Sequence, residues 1–145
     1  MIKIAIASDH AGFFLKEKII EHFSDFYKFI DYGCNNSKDS VDYPDITQNL
    51  CQEYLSNDFS FGILICGSGI GVSIAANRFN KIRAALCHSK VTAILAREHN
   101  DANILCLGSR IIKKEDALEM VKSFLETSFS NDRHSIRVKK LEVSL

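Results

Sequence analysis

FGILICGSGIGVS, residues 61–73, is the stretch that decides the fold. Ile63, Leu64 and Ile65 form the continuous apolar run of a strand buried on both faces, and from Ile70 to Ala76 the pattern turns helical. Cys66 therefore stands at a strand-to-helix turn, with glycine at 67, 69 and 71. Backbone N–H groups and the positive end of the helix dipole favour the thiolate of a cysteine placed there, the form that acts as base or nucleophile. The glycines let the main chain approach a ligand closely, so its N–H groups can hold a phosphate or a developing anion. A plainer reading stands beside this one: a cysteine at a buried strand end also serves as a small hydrophobe. Three sharper motifs fail on the letters. The GxGxxG fingerprint needs glycine at 72, which is Val72; a C-x5-R phosphatase loop needs arginine at the same place; and no lysine follows the glycines as a Walker loop requires.

The flanking chain supports an open α/β sheet. Ile2–Ala7 reads as a first strand, followed by a helix from Gly12 to about Ser24 with Leu15, Ile19 and Phe23 on one face. Residues 27–32 read as a second strand and Gly33–Tyr43 as a polar loop; Pro44 then fits the first turn of a helix carrying Ile46, Leu50 and Tyr54. Phe61–Cys66 is the third strand and Ile70–Arg78 its helix. Ile82–Cys87 reads as the fourth strand, Lys90–Glu98 as a helix and Ala102–Leu107 as the fifth strand, with a last long helix bearing Ala117, Met120, Val121, Phe124 and Leu125. Five strand–helix alternations predict a Rossmann-like, doubly wound, five-stranded parallel sheet in three αβα layers, formed by residues 1–145 as a single domain.

Composition narrows the function classes. Eighteen basic residues balance eighteen acidic ones with no basic block, which argues against nucleic acid or an anionic membrane as partner. No apolar run has the length of a membrane span, and MIKIAIASDH lacks the long apolar core of a signal peptide, so a cytoplasmic location is expected. Five cysteines, odd in number and without CxxC spacing, fit reduced thiols better than disulfides or structural zinc. Cys87 and Cys106 read as core residues, and Cys34 and Cys51 as incidental.

In a parallel sheet every strand's C-terminal end lies at one edge, which gathers Ser8-Asp9-His10, Cys66-Gly67-Ser68, Cys87-His88 and Ser109-Arg110 into a small polar site. His99 does not fit there. His-Asn-Asp at 99–101 closes a helix and precedes the fifth strand, at the opposite edge, and a five-residue strand is roughly 17 Å long. Either His99 interacts with a helix C-terminus, or it serves the site of a second subunit. The tail is equally open: His134, Val138, Leu141 and Leu145 share one helical face, and Arg133 and Arg137, one turn apart, either grip a phosphate or form a solvated basic face.

Six separated motifs carry a family resemblance: SDHAG at 8–12, DYP at 42–44, GILICGSGIGVSIAANR at 62–78, REHND at 97–101, GSR at 108–110 and RHSIRV at 133–138. Running in order along the whole chain, they resemble the type B ribose-5-phosphate isomerases, the family that also holds galactose-6-phosphate isomerase subunits. The resemblance implies a homodimer with shared sites and a C-terminal helix at the interface, and it assigns His99 to the second subunit's site. It also implies interconversion of ribose 5-phosphate and ribulose 5-phosphate, in the non-oxidative pentose phosphate branch, without metal or organic cofactor. In the family a cysteine in the position of Cys66 takes the C2 proton and returns it to C1 through a cis-enediolate. By that resemblance, backbone N–H groups across Gly67, Ser68, Gly69, Ile70 and Gly71, with the Ser68 hydroxyl and Asn100, would stabilise that anion. His99, with Asp9 nearby, resembles the group that opens the furanose ring. His10, Arg133 and Arg137 resemble the phosphate binders, Arg110 would add a contact from the partner subunit, and Tyr43 would line the pocket. Ser68 stands where the family often has threonine, another hydroxyl. Some relatives use a glutamate beyond the glycine loop as base; here that region is Val72–Ala76, which leaves Cys66. The same chemistry on allose or galactose 6-phosphate, and a non-catalytic sugar-phosphate or nucleotide-binding module, are the competing readings. Pairing of dimers into tetramers is left open.

Overall fold

The computed structural model describes residues 1–143, in which one parallel five-stranded sheet lies between two helical layers. The elements are β1 (Lys3–Ser8), a 3-10 turn (His10–Gly12), α1 (Phe13–Phe23), β2 (Lys28–Asp31), α2 (Tyr43–Ser56) and β3 (Phe61–Cys66). They continue with α3 (Ile70–Ala76), β4 (Ala84–Leu86), α4 (Lys90–Asn100), β5 (Ile104–Gly108), α5 (Lys114–Glu126) and α6 (His134–Lys139). Strand order is β2-β1-β3-β5-β4, every neighbouring pair parallel, as the alternating pattern requires. Among these residues no helix is long and apolar enough to cross a membrane.

Strand alternation divides the core. Ile4, Ile6, Ile63, Ile65, Leu105 and Leu107 point to one face, where α1, α4 and α5 bring Leu15, Ile19, Ala93, Met120, Val121 and Phe124. Ala5, Ala7, Leu64, Cys66, Ile104 and Cys106 point to the other, under Ile46 and Leu50 of α2 and Val72 and Ala76 of α3. A strand buried on both faces has no polar side to show, which is why β3 reads as an unbroken apolar run. The chain winds from β1 outward to β2 and then back across β1 to β3, so the direction reverses between β1 and β3. Ligands of open α/β sheets sit at such a reversal, outside the strands' C-terminal ends.

Three expected elements differ. β4 spans only Ala84–Leu86 rather than Ile82–Cys87: it is an edge strand with β5 as its one partner, Ile82 is buried before the ladder begins, and Cys87, although its N–H still donates to Cys106 O at 3.2 Å, lies past the last paired residue. α4 runs to Asn100, so His99 and Asn100 form its last turn and Asp101 closes it in the left-handed conformation. The tail helix ends at Lys139, and of its expected face only His134 is buried. Leu141 lies past the helix and is 55% exposed, while Glu142 Oε2 accepts from the Lys81 N–H at 2.9 Å and draws the chain away from a further turn. Leu145 lies outside the described residues.

Candidate active site

β3 delivers Cys66 to the sheet edge, and the backbone that follows wraps around its sulfur. Gly69 adopts φ 78°, a left-handed conformation that costs glycine little, and its N–H donates to Cys66 Sγ at 3.2 Å. The next donor, Ile70 N–H, is taken by Ser68 Oγ at 3.2 Å. Two of the N–H groups expected to face the ligand are therefore engaged with the sulfur and the serine hydroxyl. On the far side, Ser109 N–H donates to Cys66 O and Arg110 N–H to Gly67 O, both at 2.9 Å, so the β5 end is tied to the glycine loop.

β1 contributes Asp9. Its N–H donates to Ile65 O at 3.1 Å, and its Oδ1 accepts from Gly12 N–H at 3.1 Å, capping the 3-10 turn. Tyr43, the first residue of α2, lays its ring where a side chain at position 71 would stand, with a Cβ there only 2.6 Å from Cε1. Glycine at 71 is what lets the ring close this wall. The result is a cleft of about 570 Å³ lined by Asp9, Tyr43, Cys66, Gly67, Ser68, Ile70, Gly71, Ile74, Arg110 and Ile111. Its size suits one small metabolite.

Cys66, 5% exposed, is the cysteine that lines this cleft. Burial pushes the thiols of Cys51 to about 12 and Cys87 to about 11, and that of Cys106 well above the ordinary range, so all three stay protonated. Cys87 and Cys106 are core residues, as the sequence suggests, and Cys51, read there as incidental, is fully buried as well. Cys34 is buried too and donates to Asn36 O.

Arg110 requires a correction. The resemblance assigns it to the partner's site, but its guanidinium lies over Gly67 of its own chain and lines its own cleft. Its backbone bond to Gly67 fixes it there. His10 sits next to Asp9 on the 3-10 turn, with Nδ1 accepting from Val41 N–H at 3.1 Å.

The remaining expected residues lie elsewhere. At the end of α4, Arg97 sits 4.9 Å from the ring of Phe61, the first residue of β3, whereas Cys66 is the last. Six residues of strand separate the two ends by about 17 Å. His99 and Asn100 are at the Phe61 end, where His99 stacks on His134 with ring centroids 4.3 Å apart and planes 21° from parallel. Burial, and then the neighbouring His99, Arg133 and Arg137, push the His134 imidazole below its ordinary range, against the opposing carboxylate of Asp132. Arg133 and Arg137 are exposed on α6 beside this stack. One chain thus carries two separate polar groups: Asp9, His10, Tyr43, Cys66, Ser68 and Arg110 at one end, and His99, Asn100, Arg133 and Arg137 at the other.

Sequence reasoning missed Ile74 and Ile111, which form the cleft's apolar lip. Ile70 and Ile74 are four apart on a face that Val72 and Ala76 do not share, a signal that this helix has two apolar sides. The His99–His134 stack had no signal in one sequence.

Fold and cleft together define an open α/β protein with a candidate small-molecule site at the switch point of its sheet. A family model described as Ribose/Galactose Isomerase matches residues 4–141, and the chain belongs to that family. It is similar to ribose-5-phosphate isomerase B of Escherichia coli (strain K12), with 39% identity over 142 residues, covering 97% of this chain and 95% of that protein. Among solved structures it is similar to a ribose 5-phosphate isomerase of Thermotoga maritima, at TM-score 0.93 and 49% identity over 97% of each chain. Ribose-5-phosphate isomerase B of Mycoplasma genitalium, solved with bound ribulose 5-phosphate, aligns at TM-score 0.90 and 40% identity, covering 97% of this chain and 93% of that one.

Proposed function

We propose that the protein interconverts D-ribose 5-phosphate and D-ribulose 5-phosphate, with Cys66 as the base. The observation that carries this reading is the Cys66 sulfur, held by the Gly69 N–H and opening into a metabolite-sized cleft, while burial keeps Cys51, Cys87 and Cys106 protonated. The Cys66 thiolate takes the proton from C2 of the open-chain aldose. The C2–H electron pair forms the C1=C2 double bond, and the carbonyl pair moves onto O1. The O2 proton passes to O1, and the Cys66 thiol returns its proton to C1, leaving the ketone at C2. Ser68 and Asn100 hydrogen-bond the enediolate oxygens, His99 with Asp9 opens the ring, and His10, Arg133 and Arg137 hold the phosphate, with Arg110 beside the glycine loop.

Residues about 17 Å apart in one chain serve one substrate only if two copies pair. The functional unit is accordingly a homodimer, each cleft completed by the other copy's α4 end and α6. Exposed Ile70, Ile74 and Ile111 around the cleft and Ile136, Leu141 and Val143 on the tail support this, being large apolar side chains left uncovered in the isolated chain. Five unpaired thiols fit a reducing cytoplasm. The reaction belongs to the non-oxidative pentose phosphate branch.

Turnover of ribose 5-phosphate by the wild type and Cys66→Ala tests the assignment. The variant should still bind substrate and lose about 10²–10⁴ in kcat; full activity without the thiol, or no turnover by the wild type, would refute it.

A further inference from the structure

The least expected side chain in the molecule is Lys16, charged and 0% exposed in the middle of α1. Its ammonium reaches Asp31 Oδ1 and Oδ2, both at 2.8 Å, at the end of β2, and it also donates to the Cys34 carbonyl. Asp31 Oδ1 in turn accepts from Gly33 N–H at 2.9 Å. β1 grips the same two residues: Ser8 N–H donates to Gly33 O at 2.7 Å and Cys34 N–H to Ser8 O at 2.8 Å. A buried ion pair is costly in desolvation, so its role is sought in what it positions rather than in stability alone.

What it positions is the polar loop from Gly33 to Asp42. Lys16 and Asp31 fix the start of this loop, and an Asn36 side chain accepting from Lys38 and Asp39 N–H groups folds its middle. At its far end Val41 N–H donates to His10 Nδ1, and two residues later Tyr43 closes the wall of the Cys66 cleft. With Nδ1 occupied as acceptor, the neutral imidazole carries its proton on Nε2.

We infer that Lys16 is a positioning residue for the substrate's anionic group: through Asp31 and the Gly33–Asp42 loop it holds Val41 on His10, so that His10, the neighbour of the cleft residue Asp9, keeps Nε2–H as its donor for the substrate. This rests on the reading of His10 as a substrate contact. Lys16 touches no reacting atom, so its loss should act on binding rather than on proton transfer.

The test uses full-length Lys16→Met, which keeps the apolar stem and removes the ammonium, and Asp31→Asn, a milder change at a half-exposed carboxylate should the first variant fold poorly. Amide hydrogen exchange at Val41, which needs no substrate, should quicken about tenfold in either variant while the β1 and β3 amides stay protected. In ribose 5-phosphate kinetics KM should rise about tenfold with kcat nearly unchanged. Unchanged Val41 exchange in both variants would overturn the inference. So would quickened exchange with KM unaltered, or a loss confined to kcat. A wild type that does not turn over ribose 5-phosphate would strike at the functional reading instead, and the exchange arm alone would then decide whether Lys16 holds the loop.

Discussion

Cys66 differs from Cys51, Cys87 and Cys106 by opening into the cleft, and that difference is measurable. Under limiting iodoacetamide, peptide mass spectrometry should find Cys66 alkylated before those three and shielded by ribose 5-phosphate. Cys51, Cys87 and Cys106, held protonated in the core, should react only on unfolding. Early labelling of Cys106 would contradict the packing. Gly69→Ala attacks the same loop through its backbone. At φ 78°, with the new Cβ 2.6 Å from Leu86 Cδ1 and 2.8 Å from the Leu107 carbonyl carbon, the substitution should cost at least about 1–2 kcal/mol. It should also pull the N–H off the sulfur, a loss read by urea denaturation together with kcat. His134 supplies a pH dependence. Its imidazole titrates below the ordinary 6.5 in the folded chain, so on acidification the unfolded chain binds the proton first. The stability that neutral His134 contributes is complete above about pH 6.5 and falls as pH drops from there toward the folded value. Melting temperature between pH 7.5 and 5.5 should decline less steeply in His134→Gln than in the wild type. At this scale the sequence was legible wherever chemistry and position coincide, as for Cys66, Asp9, Ser68 and Tyr43. Lys16 was not legible, because a lysine within an amphipathic helix reads as solvated until the carboxylate that meets it, fifteen residues away, is placed.

Elements were legible in proportion to how completely they are buried. β3 begins and ends where its apolar run does, since both faces are covered and Gly67 ends the pattern. β4 and α6, at the margins, have boundaries set by partners the sequence does not display: β5 for the one, Lys81 and the His99 ring for the other. The end of α4 shows how a charged residue can fix an element. Arg97 donates to Asp101 Oδ1 at 2.9 Å and to the Ala102 and Thr127 carbonyls, with its guanidinium over the Phe61 and Phe124 rings. Arg97→Met leaves the Ala102 and Thr127 carbonyls without this donor, while Asp101 keeps Arg83, and should destabilise by about 1–3 kcal/mol, loosening the turn that bears His99 and Asn100. Chemical denaturation measures the first effect, and loss of kcat beyond the unfolded fraction measures the second. A variant of wild-type stability would show that the cap holds without its arginine.

At the scale of the molecule the proposed functional residues form two groups at opposite ends of the strands, and under the proposed function neither group serves the reaction alone. Separation was readable from strand direction; the stacking of His99 on His134 and the allegiance of Arg110 to its own cleft were not, because both depend on how loops close in space. A twofold pair would bring each cleft to the other copy's α4 and α6, making two equivalent sites from four halves. The most direct measurement is subunit complementation. Cys66→Ala and His99→Ala are each prepared as inactive proteins, then unfolded together in equal amounts, refolded and assayed with ribose 5-phosphate. Random pairing yields mixed dimers for half of the population, each with one intact site of two, so the mixture should regain about one quarter of the wild-type rate. A mixture as inactive as its parents, beside a refolded wild type at full rate, would contradict the shared site.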